Sequence, residues 1–158
     1  MIFCAVKNKG TSETFFTVFL YGSDNMKTYE SVEKMLDKIV DETPAELYKN
    51  LSGGVILSED IKFHPKSIPN RPLYILGEYH NETTGKYIVI YYGSFNVVFG
   101  HLNDTAFYEK LRHTFAHEMR HHVESLAGVR DLERFDEERY GKYVMGVDIA
   151  EFHEPPIL

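Results

Sequence analysis

Only one cysteine, Cys4, stands in the 158 residues, so the chain can form no internal disulfide and cannot build a metal site from several thiolates. That scarcity leans towards a reducing, cytoplasmic compartment. Long apolar runs are missing too. The longest near the start, Phe15 to Tyr21, is far shorter than the ~20 residues a membrane span needs, and Glu13 just before it is foreign to a signal peptide. A membrane role is not expected. Basic charge is in deficit, with 17 Lys and Arg against 24 Asp and Glu for a net charge of −7, which argues against a nucleic-acid partner. Repeats, low-complexity tracts and Gly/Ser/Pro-rich linkers are absent, so residues 1–158 read as a single domain.

What the chain does have is apolar mass. Hydrophobic residues make up 43% of it, with 11 Phe and 11 Tyr, enough for one core without disulfides. Residues 1–25 stand apart, because Phe15 to Tyr21 has strand composition without alternation and Gly22 to Asn25 is a turn cluster. They read as an extra edge strand or as an extension, with Met26 as the true start. From Thr28 to Asp41, Val32, Met35, Leu36, Ile39 and Val40 recur at helical spacing, and Thr43-Pro44 ends that helix ahead of a short turn from Ala45 to Leu51. Val55 to Leu57 is a short strand, and Ile61 to Pro72, with three prolines, reads as a loop. Leu73 to Tyr79 and Lys86 to Tyr92 flank a turn at Asn81 to Gly85 and predict an antiparallel pair; a short apolar run, Phe95 to Phe99, follows.

Asn103-Asp104 supplies N-cap chemistry for a long helix that Gly128 ends. Phe107, Leu111, Phe115, Met119, Val123 and Leu126 fall on a broad arc opposite His117, which predicts a core helix with a polar histidine face. Asp131 to Tyr143 follows as a charged helix. On the long helix lies His117-Glu118-Met119-Arg120-His121, an HExxH sequence. Two histidines four apart stand about 40° apart on one helical face, so both imidazoles can reach one metal. Zn²⁺ held by three protein ligands keeps a fourth position for water and lowers that water's pKa towards ~7, while Glu118 can take its proton. By chance, a chain of this composition would contain the pattern about 3–4% of the time.

A third ligand must come from outside this helix turn, because three donors in line on a straight helix converge poorly on a tetrahedral ion. Asp131, where the chain can fold back after Gly128, is favoured; Asp136 to Glu138 on the next helix and Glu124 on the same stripe are alternatives. Glu124 could otherwise orient His121 as a hydrogen-bonding partner. His113, one turn before His117, is a possible substrate or oxyanion contact, though a solvated surface histidine is the simpler account. His122 reads as a hydrogen-bonded core histidine, whereas His64, His80, His101 and His153 lack partner spacing.

With these residues in hand, the chain resembles the small bacterial zincin-like metallopeptidases over residues 31–128. The likeness is carried by Asp41 to Leu47, Val55 to Asp60, Leu76-Gly77-Glu78-Tyr79, Ile88 to Tyr92 and Thr114 to His122. It implies an α+β, zincin-like fold with helices packed on a small mixed sheet, His117 and His121 as zinc ligands, and Glu118 as catalytic base. The family continues after its doubled histidine with an aromatic, Gly, two residues and Asp. Here Gly128-Val129-Arg130-Asp131 stands about one turn later, which supports Asp131 as third ligand. The function so implied is a zinc-dependent peptidase acting on a peptide or protein substrate. The rival is a non-catalytic structural or regulatory zinc-binding module; the oligomeric state is left open.

Overall fold

The computed structural model describes residues 2–4, 26–68 and 72–145. The strand-like segment Phe15 to Tyr21, the question of Met26 as a start and His153 all touch residues outside the described ones. Within them the chain is a mixed α+β protein of four α-helices and two small sheets. No helix among the described residues is long and apolar enough to cross a membrane.

Helix α1 spans Tyr29–Glu42, with the Thr28 hydroxyl accepting from Ser31 N–H at its start. Val32, Leu36 and Ile39, spaced by four and three, are its buried stripe. A 3₁₀ turn at Ala45–Tyr48 leads into β2, Gly54–Ser58. The region read as a loop contains β3, Lys62–Phe63, which pairs with β4, Leu73–Ile75; β1, Ile2–Cys4, pairs with the other side of β4. Two residues carry no periodic signal, so β3 could be found only by its partner.

The predicted strand from Leu73 to Tyr79 breaks at Leu76, whose carbonyl accepts from Tyr91 N–H at 2.8 Å. Beyond that point β5, Gly77–Glu82, joins a second sheet of order β2-β6-β5 with β6, Gly85–Tyr91. β5 and β6 form the expected antiparallel hairpin, whereas β2 runs parallel to β6, making the sheet mixed. Tyr92–Phe99 is a helix, α2, with Phe95, Val98 and Phe99 buried at i, i+3 and i+4.

Helix α3, Asp104–Ala127, begins with the Asn103 side chain accepting from Ala106 N–H and ends at Gly128, whose φ of 72° is left-handed. It packs on β5, β6, α1 and α4, the last spanning Asp131–Val144. Phe107, Leu111, Phe115 and Met119 enter the main core. Val123 and Leu126, expected on the same buried arc, are instead 39% and 42% exposed. They belong to the last turns of α3, where Val123 lines an open groove.

Candidate metal centre

The histidine face of α3 is polar, as its sequence implies, but it is not open: His117 is 2% exposed and Glu118 1%. Helix α4 lies across this face and carries the missing carboxylate. Nε2 of His117 and Nε2 of His121 each stand 3.1 Å from Oδ2 of Asp136. The two imidazoles meet edge to face, their centroids 4.9 Å apart. Among the described residues, His117, His121 and Asp136 form the one cluster of His, Cys or acidic side chains close enough to share an ion. Burial alone would raise the Asp136 carboxyl, but hydrogen bonds from His117 and His121, with the charge of His117, outweigh it and hold the group far below the usual carboxylate range.

Whether such a trio suits a metal can be judged from its donors. Zn²⁺ at ~2.05 Å from each of four tetrahedral ligands sets those ligands about 3.3 Å apart. The two imidazole-to-carboxylate separations of 3.1 Å are close to that edge length. Two nitrogens and one carboxylate oxygen also match the donor chemistry of zinc, leaving a fourth position for a non-protein ligand.

The carboxylate that meets both imidazoles is that of Asp136, one of the alternatives from the next helix, and not that of the favoured Asp131. Asp131 sits on the first turn of α4, largely exposed, with its carboxylate 3.9 Å from Arg134. A helix rises 1.5 Å per residue, so α4 must run about 7.5 Å beyond Asp131 before a side chain crosses the imidazoles. Glu124 does not join the trio either: one of its oxygens accepts from Arg120 Nε at 3.0 Å and the other from Leu132 N–H at 2.9 Å. Glu137 and Glu138 are exposed, as is His113, one turn before His117.

Glu118 lies under β5. A Cβ built on Gly77 would come within 3.0 Å of Glu118 Cγ and within 3.0 Å of Thr114 Cγ2, so the side chain occupies room that exists because residue 77 is glycine. Sequence reading assigns Gly77 no role of its own, although a glycine inside a strand pattern signals a close approach. His122 is the core histidine expected. Fully buried, its Nε2–H donates to the Lys49 carbonyl at 2.9 Å, and its Nδ1 accepts from the Tyr79 hydroxyl at 3.3 Å. Burial pushes its pKa down, against the Lys49 bond and together with Lys86.

On the other face of the sheet, Glu78 accepts from both Lys62 Nζ and the Tyr91 hydroxyl. His80 stacks on Tyr87 between Glu78 and Glu82. Along another flank of α3 a groove of about 690 Å³ is lined by Leu47, Phe115, Met119, Val123 and Val129. None of the four residues His117, Glu118, His121 and Asp136 lines it.

Fold and site together define a mixed α+β protein whose long helix brings two histidines against one aspartate of the following helix. A solved structure from Thermus thermophilus, described as a conserved hypothetical protein, is similar to it at 32% sequence identity and a TM-score of 0.54, over 64% of this chain and 98% of that one. The chain belongs to the family of that Thermus protein, whose description names no activity. No family model and no curated protein matches the chain.

Proposed function

We propose that the protein is a zinc-dependent metallopeptidase of zincin-like type, with His117, His121 and Asp136 as metal ligands and Glu118 as general base. The observation that carries this reading is the convergence of both HExxH imidazoles on one carboxylate oxygen at 3.1 Å each. Donor type, spacing and burial all suit one divalent ion. The resemblance to zincin-like peptidases supplies the reaction class, and the Glu118 side chain beside the pair supplies the base.

A divalent ion held here would act as a Lewis acid and acidify the water it binds. Glu118 would accept the proton from that water and return it to the leaving amine once the peptide bond breaks. Asp136 and the two histidines would fix the ion, while the buried setting of His117 and Glu118 would keep their geometry constant between turnovers. Peptides or proteins are the proposed substrates.

Metal content and cleavage of a peptide library, measured on the wild type and Glu118→Gln, test the proposal. One equivalent of zinc in both proteins, with cleavage confined to the wild type, is the expected result. Zinc in both with cleavage in neither would favour a structural zinc module, and absence of stoichiometric metal from both would remove the metal reading altogether.

A further inference from the structure

Helix α4 opens after Arg130, a residue type that supplies no capping acceptor. The first turn of a helix leaves backbone N–H groups without intrahelical acceptors, which a Ser, Thr, Asp or Asn just before the helix ordinarily serves. The residue before Asp131 is Arg130, whose guanidinium can only donate. An acceptor arrives instead from the preceding helix: Glu124 Oε2 takes the Leu132 N–H at 2.9 Å, from eight residues earlier. A carboxylate at a helix N-terminus is also favoured by the helix dipole.

Glu124 is fixed at both ends. Its Oε1 accepts from Arg120 Nε at 3.0 Å, and its backbone carbonyl accepts from the N–H groups of Gly128 and Val129, the latter at 2.9 Å. One residue thus closes the last turn of α3 and opens the first turn of α4. Leu132 and Asp136 are four apart and share a side of α4. Leu132 is fully buried, but apolar burial is non-directional and tolerates sliding, whereas the hydrogen bond from its N–H is directional. A turn of α4 by one residue's step, about 100°, would carry the Asp136 carboxylate off both imidazoles.

We infer that Glu124 is a positioning residue for the proposed metal centre: by holding the Leu132 N–H, it sets the phase at which α4 presents Asp136 to His117 and His121. The inference rests on the metal reading and adds to it a residue that touches no ligand atom of the ion. It also explains why Glu124, on the same stripe as the histidines, serves without being a ligand.

The test uses the full chain as wild type, Glu124→Ala, Glu124→Gln and Asp136→Asn. Zn²⁺ affinity is measured by competition with a chromophoric chelator, and amide hydrogen exchange is followed on the metal-free proteins. Glu124→Ala is expected to weaken Zn²⁺ binding about 10–100-fold and to speed Leu132 exchange about 10-fold or more, while α1 and β6 keep wild-type protection. Glu124→Gln, which retains an acceptor oxygen, recovers most of both. Asp136→Asn weakens Zn²⁺ binding without speeding Leu132 exchange. Wild-type affinity or wild-type Leu132 exchange in Glu124→Ala overturns the inference. A wild type that binds no Zn²⁺ overturns the metal reading itself, and the exchange arm then separates that failure from a failure of the Glu124 contact.

Discussion

Gly77 on β5 and Glu118 on α3 are fitted to one another: the strand approaches the helix so closely that a Cβ at residue 77 would stand 3.0 Å from Glu118 Cγ. Gly77→Ala therefore asks either the strand or the proposed base to give way by a few tenths of an ångström. Overpacking of this kind costs about 1–3 kcal/mol. Urea unfolding should register that loss, and peptide cleavage should fall further than Zn²⁺ affinity, since the metal donors lie on the neighbouring face of the helix. Unchanged stability and cleavage would contradict the fit.

Exchange of the two candidate aspartates separates the centre from its surroundings. Asp136→Asn is expected to lower Zn²⁺ affinity by at least about 100-fold, beyond the 10–100-fold typical of residues that only support a ligand. Asp131→Asn, exposed and facing Arg134, should leave the affinity within a factor of about two. Chelator competition on both variants gives the answer directly, and equal losses would remove Asp136 from its special position.

How far these residues could be read from sequence differs by element. Helix α3 was legible at both ends and in its buried face from Phe107 to Met119, because Asn103, Gly128 and the spacing of Phe107, Leu111, Phe115 and Met119 are local signals of one structure, whereas Val123 and Leu126 continue the same spacing and are exposed. The antiparallel pairing of β5 with β6 was plain as well, though not the break at Leu76 that gives Leu73–Ile75 to the other sheet. The parallel pairing of β2 with β6 carries no local signal, and neither does β3 within its proline-rich segment. For the centre, the imidazole pair follows from helical spacing alone. The carboxylate does not: choosing Asp136 over Asp131 requires the phase of α4 relative to α3, which depends on Leu132 and Glu124 meeting across the joint.

Stability in acid should carry the mark of Glu78. Burial opposes its ionisation, but the hydrogen bonds from Lys62 and Tyr91 prevail and hold its pKa below the ordinary 4.5. A depressed carboxylate stabilises the fold fully above its unfolded pKa, and the gain disappears as pH falls from there through the folded value. The Lys62 side chain is 38% exposed, so solvent screening limits the gain to about 1 kcal/mol or less. Urea midpoints of wild type and Glu78→Gln should therefore differ near neutral pH and converge as the pH falls below the ordinary carboxylate range. A gap that stays constant with pH would rule out this origin.

His122→Ala should destabilise by about 2–4 kcal/mol, because it leaves the Lys49 carbonyl and the Tyr79 hydroxyl without their partner and opens a hole under the sheet. Thermal and urea unfolding would measure the loss; a change below about 1 kcal/mol would mean that the surroundings collapse into the gap.

The donors of the proposed centre are separated by only 19 and 15 residues along the chain, from His117 and His121 to Asp136. By contrast, β1 must bring Ile2 to Ile75 before it can pair with β4. Loop closure of the longer kind costs about 1 kcal/mol more in chain entropy, and such contacts wait on the collapse of the rest. The two helices that carry His117, His121 and Asp136 can therefore meet early in folding, so an ion captured by that hairpin would act as a nucleus on which the slower sheet of β1, β4 and β3 assembles.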